Sequence, residues 1–320
     1  MILLTGGTGY VGGNLVARAQ ATGLTMVATY RGSGGHAMVE AGVVEWAACD
    51  LTDLDAVKEL STRTGVTSCI HLAAVSNEAY ARPDPLAAVR CNVEATATLL
   101  EAARDLNWRR FVLVSTGSVF QNRPIDGAPI PEDAEPAPQN VYSITKTAAE
   151  MLCRMFRTEY DVPAVVARIS WVYGPPLLDI GPTRGPIPSF VVRALRGDVI
   201  DEGGADFEVS FTFVEDVLDG LLALDAADNL THDAYHLGHG RNFALGEVTD
   251  AIRTAIPGAQ ITLKPGTDPW TRFTKLRDPL GIGRMQVETG FETKWSLPDG
   301  IASIVRWLEY NPDRWPAARP

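Results

Sequence analysis

Ile2-Leu3-Leu4-Thr5-Gly6-Gly7-Thr8-Gly9-Tyr10-Val11-Gly12 opens the chain with a short apolar run, a glycine-rich turn and the start of an amphipathic stretch. Gly6, Gly9 and Gly12 stand at G-x-x-G-x-x-G spacing. The first two let the backbone turn tightly and approach a pyrophosphate; the third lets a helix pack close to a sheet. The N-terminus of that helix then turns its N–H groups and positive dipole end toward the phosphates. A strand before the glycines and a helix after them are the context this reading requires.

Outward from the loop, the first half alternates apolar runs with amphipathic stretches. Strands are expected at Ile2–Thr5, Met26–Tyr30, Glu45–Cys49, Ser68–Leu72, Phe111–Ser115 and Ala164–Ile169. Helices are expected near Gly12–Thr22, Asp53–Thr64, Pro85–Leu106 and Val141–Tyr160, with Thr52 as the N-cap of the second. The strand-like runs are nearly all apolar, as for strands covered on both faces. Strand–helix repetition of this kind implies right-handed crossovers and an α/β fold with a doubly wound parallel sheet, of Rossmann type.

After Ile169 proline and glycine cluster in Gly174–Pro188. Helices then recur at Ile187–Arg196, Val214–Ala226, Leu245–Ile256 and Leu297–Tyr310, with short strands at Phe207–Phe213, Ala234–Gly238 and Gln260–Leu263. The expected division is a dinucleotide-binding domain at 1–169 plus about 210–240. A smaller C-terminal α+β substrate cap takes 170–209 and 241–320.

Across 320 residues, 28 basic side chains face 39 acidic ones, for a net charge of −11. That balance argues against nucleic-acid binding, which needs a basic surface. No apolar run is long enough to span a bilayer, and no basic n-region precedes the first apolar stretch. Cys49, Cys69, Cys91 and Cys153 are scattered without a metal-type pair. The expectation is a cytoplasmic protein with reduced thiols, no membrane partner and no metal.

The second strand ends Ala28-Thr29-Tyr30-Arg31. An NAD site usually places an acid there to bind the ribose hydroxyls. Tyr30 holds that position and Arg31 follows, and an arginine can pair with a 2′-phosphate, so NADP is favoured over NAD. Asp50, after the third strand, is placed to accept from the adenine amino group. Tyr142 and Lys146 stand four residues apart, on one face of a helix. A tyrosine phenol is a poor base at neutral pH, and a nearby ammonium lowers its pKa. The phenolate can then take the proton of an alcohol while a nicotinamide takes the hydride. The chain has five lysines, at 58, 146, 264, 275 and 294, which makes the pairing a rare coincidence. The fifth strand ends in the hydroxyls Ser115, Thr116 and Ser118, one of which is free to orient a reacting oxygen.

Together these residues resemble the extended short-chain dehydrogenase/reductase family, also called the NAD-dependent epimerase/dehydratase family. The likeness runs through Thr5–Gly12, Asp50-Leu51, His71-Leu72-Ala73-Ala74, Asn92-Val93 and Ser115–Phe120. It continues through Tyr142 and Lys146, Arg168 with Val172-Tyr173-Gly174-Pro175, and Phe213-Val214-Glu215-Asp216. The resemblance implies that Thr116 is the active-site hydroxyl, beside Tyr142 and Lys146. It implies cofactor contacts from Gly6, Thr8, Gly9, Tyr10, Val11, Gly12, Asp50, Leu51, Leu72, Ala73, Ala74, Asn92, Ser115, Ser170 and Val172. Substrate contacts are implied for Ser76, Thr116, Gly117, Ser118 and Trp171, and a homodimer through the helices Pro85–Leu106 and Val141–Tyr160.

Departures from the family pattern carry the substrate information. The 4,6-dehydratases have an Asp-Glu pair directly after the active-site Thr; here stand Gly117 and Ser118, which argues against dehydration. Two positions that face a substrate diphosphate are Trp171 and Val209 here. The leading expectation is an NAD(P)-dependent oxidoreductase for a small hydroxy or carbonyl compound, a sugar or sugar acid without a nucleotide. The alternatives are a nucleotide-sugar 4-epimerase or 4-ketoreductase, and a non-catalytic dinucleotide sensor. Arg272, Arg277 and Arg284 are candidates to meet an acidic substrate. His236 and His239 would point opposite ways along a strand, which disfavours a metal.

Overall fold

The computed structural model describes residues 1–31, 43–177 and 179–316. Strand β1 (Ile2–Thr5) leads through the glycine turn into helix α1 (Tyr10–Thr22), followed by β2 (Met26–Tyr30), β3 (Val44–Ala48), α2 (Leu54–Thr64) and β4 (Ser68–His71). Next come α3 (Glu78–Ala81) and α4 (Pro85–Val89), which runs through a π turn at Arg90–Glu94 into α5 (Ala95–Asp105). Then follow β5 (Arg110–Thr116), α6 (Val141–Tyr160), β6 (Ala164–Ile169), β7 (Val172–Tyr173) and α7 (Pro186–Leu195). The remainder is β8 (Ile200–Gly203), β9 (Glu208–Val209), β10 (Thr212–Phe213), α8 (Val214–Ala226), β11 (Ala234–His236), β12 (Phe243–Ala244), α9 (Leu245–Ala255), β13 (Ile261–Lys264), α10 (Gly283–Thr289) and α11 (Leu297–Tyr310).

Seven of these strands form one parallel sheet in the order β11-β6-β5-β4-β1-β2-β3. The chain reverses direction of travel between β1 and β4, which opens a crevice at the carboxyl ends of the strands. β1, β4 and β5 are buried along their whole length, as strands covered on both faces are. One face packs Leu15 and Val16 of α1 with Val217 and Leu218 of α8. The other packs Val57 and Leu60 of α2 with Leu99 of α5 and Ala149 of α6. The C-terminal elements build a third core of their own around Phe190, Phe207, Phe211, Ile252, Trp270 and Ile304. This is the cap.

Three local expectations are corrected. The cap of α2 is Asp53, whose carboxylate accepts from Ala56 N at 3.1 Å; Thr52 instead donates its hydroxyl to Asp50. The stretch Phe207–Phe213 is broken in two, because a bond from Phe211 N to Val209 O bends it, and β9 pairs with β12 while β10 pairs with β7. β3 lies at the sheet edge and is only partly covered, with Val44 and Ala47 buried and Glu45 and Ala48 exposed.

β5, β6 and α6 are locked together by charge. The Arg168 guanidinium, buried on β6, holds the Glu150 carboxylate of α6 at 2.8 Å, and the Ser115 hydroxyl of β5 donates to the same carboxylate. Removing one partner of a buried pair leaves an uncompensated charge, which fixes the relative position of all three elements. Among the described residues, no helix is long and apolar enough to cross a membrane.

Candidate active site

The glycine loop forms one end of a cleft of about 1010 Å³ along the carboxyl edge of the sheet. Gly6 has φ +71, the left-handed region, and a β-carbon there would stand 2.7 Å from Ala73 N. A β-carbon on Gly12 would stand 2.1 Å from the Gly6 carbonyl oxygen. Gly9 caps α1 with no side chain on its N–H groups, and the first turn carries no acid. The N-terminus of α1 thus presents bare backbone donors and a positive dipole end to the cleft. These are the features a pyrophosphate fits. The loop after β4 closes over Gly6, held by Ala73 N donating to Thr5 Oγ1 at 3.1 Å.

The structure gathers the expected residues from many separate segments of the chain. Gly6, Thr8, Gly9, Tyr10, Val11, Gly12, Tyr30, Arg31, Asp50, Leu51, Leu72, Ala73, Ala74, Ser76, Ser115, Thr116, Ser118, Tyr142, Lys146, Ser170, Trp171 and Val172 all line this one cleft. Two are placed otherwise. Asn92 is buried in the π turn, where its amide brackets the Val75 backbone at 2.8 and 3.2 Å and donates to Thr145 Oγ1 at 3.0 Å. It positions the loop after β4 against α6 and does not line the cleft. Gly117 is covered, because Arg277 and Leu280 pack against the point where its side chain would stand.

Tyr142 and Lys146 sit in the first two turns of α6. A capping box starts that helix: Asn140 accepts from Ser143 N at 2.9 Å and Ser143 Oγ accepts from Asn140 N at 3.0 Å. The Glu78 carboxylate accepts from Tyr142 N at 3.0 Å and fixes the entry of the chain. Burial pushes the Tyr142 phenol up to about 12, while a hydrogen bond with the Thr116 hydroxyl and the Arg277 charge pull it down. Burial brings the Lys146 ammonium down to about 8, against the charge of Glu150. Arg277 of the cap adds a charge that the sequence reading did not connect with the phenol. Ser115 is spoken for by Glu150, which leaves Thr116 and Ser118 facing the cleft.

At the far end of the first strand pair, Asp50 accepts from Thr52 N at 3.0 Å and Thr52 Oγ1 at 2.8 Å. Those bonds, with the Arg31 charge, hold its carboxyl below the usual range. Tyr30 and Arg31 line the cleft beside it. At the other end, Trp171 takes φ +30 and stacks edge-on against Phe207 at 5.5 Å and Phe211 at 6.2 Å. Its ring both walls the cleft and packs beneath the cap. Val209 lies buried in the cap core, away from the cleft.

Sequence reasoning did not anticipate one bond made by Tyr10 or several further lining residues. Tyr10 donates its hydroxyl to Gly174 O at 2.6 Å and ties the glycine loop to the cap. Arg184, held by Asp179 at 3.0 Å, and Trp270, Phe273 and Thr274 line the substrate end. Of the three arginines proposed to meet an acid, Arg277 lines the cleft, Arg284 pairs with Asp133 at 3.4 Å, and Arg272 lies over the Phe273 ring. His236 bonds Gly281 O and His239 bonds Thr293 Oγ1, so the two serve separate structural contacts.

A family model described as the NAD dependent epimerase/dehydratase family matches residues 2–238. A low-salt glycan biosynthesis protein of Haloferax volcanii is 28% identical, over 95% of this chain and 97% of its own length. Among solved structures, the UDP-glucose 4-epimerase of Thermotoga maritima with UDP-glucose superposes with a TM-score of 0.83 at 22% identity, covering 97% of this chain and 99% of that one. The dTDP-glucose 4,6-dehydratase of Bacillus anthracis in complex with NAD gives a TM-score of 0.80 at 22% identity, covering 98% of each.

Proposed function

The chain belongs to the NAD dependent epimerase/dehydratase family, and on that premise we propose that it moves hydride between a nicotinamide cofactor and an alcohol or carbonyl carbon of a sugar. The observation that carries this reading is the convergence of Thr116, Tyr142 and Lys146 on the cleft that starts at the glycine loop. The loop fits a dinucleotide because only glycine at positions 6 and 12 permits its tight packing, and the uncapped N-terminus of α1 behind it presents free donors.

Gly6, Gly9, Gly12 and the N-terminus of α1 hold the pyrophosphate. Lys146 holds the nicotinamide ribose. A bound nicotinamide supplies or accepts the hydride. Thr116 orients the substrate oxygen and shares a hydrogen bond with Tyr142. Tyr142 takes the hydroxyl proton when the carbon is oxidised and returns it when the carbonyl is reduced. Thr116 and Arg277 oppose the burial that holds the phenol neutral.

No acid stands at the end of β2, and Arg31 lines the cleft there, which supports NADP over NAD. The dehydratase of Bacillus anthracis binds NAD, so both cofactors belong in the assay. A homodimer is supported by apolar side chains left exposed on α4 and α6: Leu86, Val89, Ile144 and Met151. The division at residue 169, with 210–240 returning to the nucleotide-binding part, is supported by β11 joining the central sheet.

A second reading, a nucleotide-sugar 4-epimerase, is favoured by the Thermotoga neighbour bound to UDP-glucose. The expectation of a substrate without a nucleotide rests on Trp171 and Val209 alone and finds no support in the relatives. Tightly retained, stoichiometric NAD in the purified protein would favour the epimerase, which keeps its cofactor through the cycle. For the hydride reading itself, Tyr142→Phe should lower turnover by about 10²–10⁴-fold while dinucleotide binding persists. Undiminished turnover would overturn the assignment.

A further inference from the structure

Arg277 lies in the loop between β13 and α10 and is 8% exposed. Its Nη1 donates to two neutral acceptors, Thr274 Oγ1 at 3.4 Å and Lys275 O at 3.2 Å. Among the described residues, no carboxylate lies within ion-pairing distance of it, and the titratable side chain that acts on it is the Tyr142 phenol, which burial keeps uncharged. Arg168, equally buried, shows the contrast, since Glu150 neutralises it at 2.8 Å. A guanidinium taken out of water without a counter-ion is costly, and folding alone gives no reason to retain it. It lines the cleft, where a ligand can supply the missing charge.

The position of the head group narrows that ligand. The Arg277 Nε lies 3.2 Å from where a Gly117 β-carbon would be, and Gly117 follows Thr116 directly. An anion held here lies at the same end of the cleft as Thr116 and Tyr142. The planar fork of a guanidinium matches a carboxylate with two parallel hydrogen bonds.

We propose that the substrate is a sugar acid whose carboxylate, next to the reacting carbon, is gripped by Arg277. This rests on the oxidoreductase reading above. Neutral sugars leave the guanidinium unpaired and bind weakly, and the absent side chain at Gly117 is what admits the arginine to the reacting centre.

The test is calorimetric titration of cofactor-loaded protein with matched pairs: D-glucuronate and D-glucose, D-galacturonate and D-galactose, UDP-glucuronate and UDP-glucose. At least one acid should bind about 100-fold more tightly than its neutral partner. Arg277→Gln should erase that preference, and Arg277→Lys should keep part of it. The thermal midpoint of Arg277→Gln without ligand should hold or rise, because a buried unpaired charge has been removed; a purely structural arginine would lower it. The proposal is overturned if no acid is preferred in any pair, or if the preference survives in Arg277→Gln. Preference for the acid within the UDP pair only would support the carboxylate contact and place it on a nucleotide sugar. Failure of the oxidoreductase reading shows separately, as a Tyr142→Phe variant that turns over like wild type.

Discussion

Gly117 and Arg277 compete for one space: a β-carbon on Gly117 would stand 3.2 Å from the Arg277 Nε and 3.3 Å from a Leu280 methyl. Gly117→Val adds two further carbons to that crowded point and must push the guanidinium aside. The expected result is a KM raised about tenfold or more, with overpacking costing about 1–3 kcal/mol of stability. Steady-state kinetics beside urea denaturation checks it. An unchanged KM would mean that Arg277 plays no part in holding substrate.

Gly12 and Gly13 are neighbours with opposite expectations. A β-carbon on Gly12 would lie 2.1 Å from the Gly6 carbonyl oxygen, so Gly12→Ala must open the loop. Dinucleotide affinity should fall at least about tenfold, with a loss of roughly 1–3 kcal/mol. On Gly13 the nearest atom would be 3.7 Å away, an ordinary contact inside α1. Gly13→Ala should bind cofactor normally and gain about 0.5–1 kcal/mol of stability. Fluorescence titration with both dinucleotides, beside thermal melts, separates the two.

Buried histidines set the acid limit of the fold. His71 is wedged between Thr5 Oγ1 at 2.7 Å and Thr96 Oγ1 at 3.1 Å, and burial brings its pKa down to about 3. His236, burdened by burial and by Arg168, falls to about 3 as well. Between that value and the ordinary histidine range near 6.5 the unfolded chain binds more protons than the folded one. Stability is therefore complete above about pH 6.5 and declines as the pH drops toward 3, by up to a few kcal/mol per histidine. Urea midpoints across this range should fall with acid, and His71→Gln should flatten the slope by about one proton. An identical slope in the variant would refute this origin.

Much of this was legible because it is local. The boundaries of β1, β2, β6, α6, α8 and α11 follow from apolar period and flanking residues. The Tyr142–Lys146 spacing lies within one helical turn and a half, so it survives any error in tertiary placement. What was not legible depends on distant chain segments. Nothing around residue 92 announces the π turn that points Asn92 at Val75. The kink at Phe211 comes from β9 and β10 serving different partners. A charge that acts on Tyr142 comes from Arg277, well over a hundred positions downstream.

The separate core of the cap has an evolutionary consequence. Phe190, Phe207, Phe211 and Trp270 pack on one another, and Trp270 and Trp171 also face the cleft. Substitutions there reshape the pocket wall, while the layers around β1, β4 and β5 keep their own packing. Selection can thus trial new pocket walls against an unchanged sheet and glycine loop, with the cost of each trial confined to the cap. A lineage built this way is expected to diversify fastest at the cap residues that line the cleft and slowest at Gly6, Gly12 and the Glu150–Arg168 lock.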